Sequence, residues 1–134
     1  MNPAKARGVI FDLDGTLYTL RLMRFRMALS LFSSLGLLRK IGAARRAIRG
    51  VEFADETALR KAFFEELARR AGTTVERASA WYEDGFMPAF VALLREAGRV
   101  RPGLIEMLRR LRDRGVRTAI VSDYGCIAER LSAL

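Results

Sequence analysis

Apolar side chains along this chain follow two patterns, which predict two types of secondary structure. The short apolar run at residues 8–13 ends among carboxylates and a glycine, which predicts a buried strand followed by a tight turn. From about residue 20 to 98, apolar residues recur at three- and four-residue steps, as at Leu59, Phe63 and Leu67, which predicts helices only. The first such series comprises Leu20, Met23, Met27, Leu31 and Leu35.

Capping residues divide the helical segment into separate helices. Gly72 should end the second helix, because glycine readily adopts the left-handed conformation that closes a helix. Thr73 and Glu76 have the spacing of a capping box for the third helix. Pro88 should begin a final helix that ends near Gly98.

After residue 98 the pattern returns to one helix and one strand. Pro102 and Gly103 should open the helix and Gly115 should end it, while the apolar run at residues 116–121 predicts a second buried strand. Strand, inserted helices, helix and strand form a split βαβ unit, whose parallel strands should cross over right-handedly. Such a unit brings the residues after both strands to one edge of the sheet.

These elements predict an α/β fold with a Rossmann-like parallel sheet core and an inserted all-α cap. Residues 1–19 should form the first part of the core, residues 20–98 the cap, and residues 99–134 the second part of the core. Only two strands are predicted, whereas parallel sheets usually have more strands and are covered on both faces. The core is therefore predicted to be incomplete.

Composition excludes several kinds of chemistry. A single cysteine and no histidine among 134 residues rule out an intrachain disulfide, a zinc site and a Ser-His-Asp triad. Any catalysis must therefore depend on carboxylates and hydroxyls. The net charge of +9 comes mostly from arginines spread along the chain without interleaved aromatic residues, which does not favour nucleic acid as a partner.

Apolar segments give no membrane-spanning or secretory element. The first run is interrupted at once by carboxylates, so no signal peptide is predicted. The apolar stretch at residues 27–38 is too short to cross a bilayer, although its flanking arginines are also compatible with a helix bound at a membrane surface. The expected location is the cytoplasm, and the sequence does not indicate an oligomeric state.

Two carboxylates follow the first strand at a spacing that suits phosphate chemistry. Asp12 and Asp14 lie two residues apart, so on an extended strand both would face one side. Their segment, FDLDGTL at residues 11–17, resembles the first signature of the haloacid dehalogenase superfamily, in which a strand ends in Asp-x-Asp-x-Thr. The segment TAIVSD at residues 118–123 resembles the second signature of that superfamily, a hydrophobic strand that ends in Ser or Thr.

The resemblance implies hydrolysis of a small-molecule phosphate ester through an aspartyl-phosphate intermediate. Asp12 would be the nucleophile, and Asp14 would protonate the leaving oxygen and then deprotonate the attacking water. Magnesium would bind the Asp12 side chain and the Asp14 carbonyl oxygen, together with waters and a further carboxylate. A phosphomutase is an alternative, because such enzymes keep both aspartates.

Further residues would bind phosphate under the same resemblance. Ser122 is expected to donate its hydroxyl to a phosphoryl oxygen, with the backbone amides of Leu13 and Asp123 as additional donors. Thr16 would hold Asp14 by a side-chain hydrogen bond. The structural alternatives are an Asx-type turn at the aspartates and a helix N-cap at Ser122.

Two signatures of the family are not found in their usual places. The third is a lysine or sometimes an arginine beside the phosphate, and the fourth is an acidic pair for magnesium; both normally lie well beyond the second strand. We therefore expect the sequence to be part of a longer protein and the 134-residue chain alone to be inactive. The alternative from another class is a non-catalytic remnant whose arginine-rich helices, such as that through Arg45, Arg46 and Arg49, bind an acidic partner or a membrane surface.

Overall fold

The computed structural model describes residues 7–19 and 35–134. The first predicted helix lies outside the described residues as far as residue 34. In chain order the elements are β1 (Gly8–Asp12), α1 (Leu35–Ile48), α2 (Glu56–Ala71), α3 (Val75–Ala80), a π-helical segment (Trp81–Phe86), α4 (Met87–Ala97), α5 (Leu104–Asp113), β2 (Arg117–Val121) and α6 (Ile127–Ser132). The described residues form two compact units, one of residues 7–19 with 91–134 and one of residues 35–90.

The predicted pair of parallel strands is confirmed. β1 and β2 pair in parallel from Gly8 opposite Arg117 to Asp12 opposite Val121. Two parallel strands with helices between them in sequence form an incomplete α/β fold. Because parallel strands end at the same edge of a sheet, this register brings Asp12 and the residue after Val121 to one place.

The prediction that both strands are buried is wrong. No residue of β1 or β2 is buried, and the side chains of Ile10 and Val121 are 68% and 50% exposed. α5 also has no buried residue, although its apolar side chains recur on one face. Two strands and few helices cannot cover both faces of a sheet, so apolar surface stays accessible in the described part of this unit.

Three buried apolar residues of the same unit, Leu13, Leu17 and Tyr18, lie directly after β1. Leu13 and Tyr18 are fully buried. Residues 17–19 run beside residues 99–101, where Tyr18 forms an antiparallel bridge with Val100 and two flanking backbone hydrogen bonds measure 3.0 and 3.1 Å. The chain segments that lead into and out of the helical insertion are therefore paired with each other.

Capping in the helical unit matches the prediction at one position and differs at the next. Gly72 ends α2 in the left-handed conformation, with φ of 66°, as predicted. The N-cap of α3 is Thr74, whose side chain accepts from the amide of Arg77 at 3.3 Å, and not Thr73. The Thr73 amide still donates to the Ala68 carbonyl at 3.1 Å, so this residue completes the end of α2, and α3 begins one residue later than predicted.

Pro88 does not begin a new helix, contrary to the prediction. The π-helical segment joins α3 to α4 without a break, and Pro88 is the second residue of α4. The amide of Met87 donates to the carbonyl of Tyr82, five residues back, which is π-helical spacing. Because proline has no amide hydrogen to donate, a change of hydrogen-bond register just before it accommodates this residue inside a continuous helix. α4 ends at Ala97, as predicted.

An aromatic cluster forms the core of the helical unit. Its rings lie 5.1 to 5.9 Å apart and belong to Phe63, Phe64, Trp81, Tyr82, Phe86 and Phe90. Arg45 on α1 donates to the Tyr82 hydroxyl at 2.9 Å, and its guanidinium lies 5.5 Å from the centre of the Phe63 ring. Burial of one such ring contributes about 2 kcal/mol, so this cluster is an important source of stability for the unit.

Acid should weaken α2 through Glu66, whose carboxylate accepts from Arg69 at 2.7 and 2.8 Å and from Arg70 at 2.7 Å. The hydrogen bond from Arg69, opposed by desolvation and reinforced by Arg70, lowers the pKa of Glu66 from 4.5 to about 2. A lowered pKa in the folded state stabilises the fold above the unfolded value, and this contribution disappears as the pH falls from 4.5 towards 2.

Urea melts of the unaltered protein and the Glu66→Gln variant between pH 6 and 2 test this expectation. The difference in unfolding free energy between the unaltered protein and the variant should become smaller as the pH falls towards 2. Glu65→Gln is a matched control, because the ion pair of Glu65 with Lys61 is exposed and long, at 3.9 Å. A difference for Glu66→Gln that stays constant down to pH 2 would contradict the expectation.

Candidate active site

The turn after β1 presents two carboxylates at the edge of the sheet. Asp12 is the last residue of β1 and is exposed, whereas Asp14 is half-buried in the turn. Gly15 has φ of 82°, a left-handed conformation that only glycine adopts readily, so the tight turn requires this residue. Arg101 braces the turn from the other core segment by donating to the carbonyls of Gly15 and Thr16, at 2.5 and 2.7 Å.

Asp14 is the centre of a hydrogen-bond network that joins distant parts of the sequence. One carboxylate oxygen, Oδ1, accepts from the Tyr18 hydroxyl and from Nη1 of Arg130 at 2.6 Å. The other oxygen, Oδ2, accepts from the Ser122 hydroxyl at 2.5 Å. The predicted meeting of the two strand ends is thus realised through direct contact between Asp14 and Ser122.

Arg130 on α6 is the one fully buried charged side chain among the described residues. Besides Asp14, its guanidinium donates to Ser122 Oγ at 2.6 Å, the Tyr124 carbonyl at 2.8 Å and the Gly125 carbonyl at 3.0 Å. A buried arginine is stable only when it is paired and hydrogen-bonded in this way. The site therefore contains a cation, eight residues after Ser122.

Sequence reasoning missed Arg130, because it sought the cation well beyond the second strand. A signal was nevertheless present in the last helix. Arg130 follows Ile127 at a three-residue step and precedes Leu134 at a four-residue step, which places it on the same helix face as apolar residues. A basic residue on the inner face of a helix next to an acidic turn indicates a buried ion pair.

Two predicted contacts are corrected by the structure. The Thr16 hydroxyl donates to Asp12 Oδ2 at 2.7 Å, and not to Asp14, whose oxygens are occupied by other donors. The amide of Leu13 donates to the Val121 carbonyl at 3.0 Å, so it extends the sheet pairing and cannot also bind a phosphoryl oxygen. Asp123 is exposed beside Ser122, and its amide as a phosphate donor stays a prediction.

Neither structural alternative for these residues matches the described contacts. The hydrogen bonds that Asp12 and Asp14 accept come from side chains within the described residues, whereas an Asx-type turn requires a backbone amide. The N-cap position of α6 is Cys126, with φ of 55°, and not Ser122. Ser122 Oγ instead accepts from the Tyr124 amide at 3.0 Å, within its own loop.

The family of haloacid dehalogenase-like hydrolases matches residues 9–127, which is most of the chain. The chain belongs to this family. No curated protein matches it. Members of the family are hydrolases that typically carry out magnesium-dependent phosphoryl transfer, and the matched residues contain both parts of the network around Asp14 and Ser122.

Tyr18 supplies a neutral donor to the site of this hydrolase. Burial, together with the hydrogen bond to Asp14 and the negative charge of that carboxylate, raises the pKa of Tyr18 well above its ordinary value, while Arg130 lowers it in part. Its hydroxyl therefore stays protonated at any physiological pH. Tyr18 can orient Asp14 but cannot act as a base.

The turn after β1 offers some of the oxygen ligands that magnesium, the metal typically used by this family, requires. The Asp12 carboxylate and the Asp14 carbonyl oxygen are hard ligands at the sheet edge, and magnesium is often held by one or two carboxylates with waters and substrate phosphate. Across residues 7–19 and 35–134, no group of three His, Cys, Asp or Glu side chains stands close enough to hold a metal ion. The donors present would thus form part of a site.

The arginines of α1 differ in their surroundings. Arg45 is engaged with Tyr82 and Phe63 inside the helical unit, while Arg46 on the same helix and Arg49, just after its end at Ile48, are exposed. A surface for an acidic partner on this helix would thus lack Arg45, one of the three arginines on which that alternative was based. None of the helices in the described part of the chain is long and apolar enough to cross a membrane.

Proposed function

We propose that this chain is the N-terminal part of a magnesium-dependent phosphoester hydrolase that forms an aspartyl-phosphate on Asp12. The observation that carries the proposal is the network of Asp14, Ser122 and Arg130 beside Asp12 at the edge of the parallel sheet. A nucleophile, an acid/base group, a hydroxyl donor and a cation are the groups that phosphoryl transfer through a carboxylate requires. Membership of the haloacid dehalogenase-like hydrolases supports this chemistry.

In the first step an Asp12 carboxylate oxygen attacks phosphorus. A bond forms between this oxygen and phosphorus, and the bond between phosphorus and the ester oxygen breaks, with its electron pair going to that oxygen. Asp14 must carry a proton when this step begins, and it donates that proton to the departing oxygen, which leaves as an alcohol. Thr16 holds Asp12 Oδ2 during the attack, so Oδ1 is the oxygen that carries no described hydrogen bond and faces the substrate.

In the second step Asp14, now a carboxylate, takes a proton from a water molecule. The water oxygen attacks the phosphorus of the aspartyl-phosphate, and the bond between phosphorus and Asp12 breaks. Inorganic phosphate leaves, and the Asp12 carboxylate and the protonated Asp14 are regenerated. Asp14 therefore serves as an acid in one step and as a base in the next.

The Asp12 side chain and the Asp14 carbonyl oxygen would hold magnesium. When bound, the ion supplies positive charge that reduces repulsion between the phosphoryl group and the two carboxylates. Arg130, whose guanidinium is 2.6 Å from the Asp14 carboxylate, pairs with that group.

We also propose that the active protein has more strands than β1 and β2. The exposure of Ile10 and Val121, 68% and 50%, supports this, because an apolar sheet face is normally covered. The additional chain would supply the remaining acidic ligand for magnesium, and residues 1–134 alone should show little activity. We propose the cytoplasm as the location of the protein.

The product of the intact gene should hydrolyse p-nitrophenyl phosphate only when magnesium is present. An excess of chelator should abolish release of p-nitrophenol, and added magnesium should restore it, because two carboxylates beside a dianion require a compensating cation. Full activity in excess chelator would refute the proposal. Absent hydrolysis together with salt-sensitive binding to anionic vesicles would favour the non-catalytic alternative.

A further inference from the structure

The hydrogen bonds at Ser122 determine the direction of its hydroxyl proton. Its oxygen accepts from Arg130 Nη2 at 2.6 Å and from the Tyr124 amide at 3.0 Å. A serine hydroxyl has two acceptor sites and one proton, so these two donors fill its acceptor sites. The proton is left to Asp14 Oδ2, 2.5 Å away. In this arrangement Ser122 donates to Asp14, whereas phosphate binding requires it to donate to a phosphoryl oxygen.

Arg130 holds this arrangement as a rigid fork. Three of its contacts, to the carbonyls of Tyr124 and Gly125 and to Ser122 Oγ, lie in the loop after β2. Another contact, to Asp14 Oδ1, lies in the turn after β1. The guanidinium is planar and fully buried, so its contacts are fixed relative to one another. A lysine ammonium would keep the charge but could not reproduce the fork.

We propose that Arg130 is a positioning residue which orients the Ser122 hydroxyl and so couples phosphate binding to Asp14. A phosphoryl oxygen that binds at Ser122 takes the hydroxyl proton away from Asp14 Oδ2, and this oxygen of Asp14 becomes open to the substrate. Because Arg130 is fully buried and contacts both Ser122 and Asp14, it acts on the phosphate through them and not by direct contact. The inference rests on the proposed function in taking a phosphoryl group as the ligand.

A double-mutant cycle separates this role from a purely structural one. If Arg130 acts through Ser122, its replacement should affect phosphate affinity only while the hydroxyl is present. If Arg130 merely braces the loop, its loss and the loss of the hydroxyl should weaken binding independently. The readout is the dissociation constant for inorganic phosphate, measured calorimetrically with magnesium on the product of the intact gene.

Arg130→Gln and Ser122→Ala should each weaken phosphate binding about tenfold, the effect of one well-placed hydrogen bond. The double variant should bind no more than about twofold more weakly than Ser122→Ala. Arg130→Lys should behave as Arg130→Gln does, because the fork and not the charge orients the hydroxyl. Arg110→Gln, on the exposed face of α5, is the matched control and should leave the affinity unchanged.

Several outcomes would overturn the inference. These are an additive loss of about a hundredfold in the double variant, full affinity in Arg130→Lys or Arg130→Gln, and no phosphate binding by the unaltered protein. Should neither Arg130 variant fold, nitrogen-15 spectra provide the test. Phosphate should then shift the Arg130 Nε–H signal in the unaltered protein and not in Ser122→Ala, and equal shifts or no shift would refute the role.

Hydrolysis of p-nitrophenyl phosphate, followed in parallel, keeps this inference distinct from the proposed function. Non-additive phosphate binding without any hydrolysis would retain the role of Arg130 and reject the hydrolase. Hydrolysis together with additive losses of phosphate affinity would retain the hydrolase and reject the role of Arg130.

Discussion

Replacing Asp12 by asparagine should abolish phosphoester hydrolysis and leave the fold in place. The amide of asparagine is a poor nucleophile, so no acyl phosphate can form, and loss of a covalent nucleophile typically lowers kcat by about 10⁴-fold or more. Asp12 is exposed, and its described hydrogen bond is the one that Oδ2 accepts from Thr16 at 2.7 Å. The carbonyl oxygen of asparagine can accept the same bond, so stability should change by less than about 1 kcal/mol.

Steady-state rates and thermal melts of the intact-gene product would show whether the loss is chemical. Mass spectrometry of acid-quenched reactions should find phosphate on the peptide that contains Asp12 in the unaltered protein and none in the Asp12→Asn variant. Asp113→Asn at the end of α5 is the matched control, because it makes the same chemical change at an exposed position of the same unit. Undiminished turnover by Asp12→Asn, or phosphate on another residue, would remove Asp12 from the mechanism.

Local chemistry explains the parts of the fold that could be predicted from the sequence. The apolar run before Asp12 and the run before Ser122 became paired parallel strands, because such short runs between turn residues have few other stable forms. Gly72 and Gly115 end helices with left-handed backbones, which is a property of glycine itself. The meeting of Asp14 and Ser122 followed from topology, since parallel strands end together.

Competition between neighbouring groups explains the parts that could not be predicted. Thr73 has the spacing for a cap, but its amide is used by the preceding helix. Leu13 has an amide in the right place for phosphate, but the Val121 carbonyl takes it. The pairing of Arg130 with Asp14 depends on how α6 packs against the turn, and a sequence pattern shows only that Arg130 shares a helix face with apolar residues.

Replacing Asp14 by asparagine should slow hydrolysis of poor leaving groups far more than that of good ones. An alkoxide needs a proton to depart, whereas p-nitrophenolate leaves without one, so loss of the acid should affect only the former through the chemical step. We expect a loss of about 10²- to 10⁴-fold for a simple alkyl phosphate and a much smaller loss for p-nitrophenyl phosphate. The ratio of the two values of kcat/KM is the quantity to measure.

This ratio matters because Asp14→Asn also has a structural cost. The carboxylate is the ion-pair partner of the fully buried Arg130, and removing one partner of a buried pair typically destabilises a protein by about 3 to 5 kcal/mol. This destabilisation lowers the fraction of protein molecules whose site is correctly assembled, and that fraction is the same for every substrate. The ratio of rates cancels this common factor and retains the part that depends on the leaving group.

Tyr18→Phe is the matched control for the loss of activity that comes from structural damage to the site. It removes a donor to the same oxygen, Asp14 Oδ1, but leaves the carboxylate able to give and take a proton. It should therefore change the ratio of the two rates much less than Asp14→Asn does, because the acid/base group is still present. If Asp14→Asn reduced the hydrolysis of both substrates by the same factor, then Asp14 would serve only to neutralise Arg130, and another group would have to protonate the leaving oxygen.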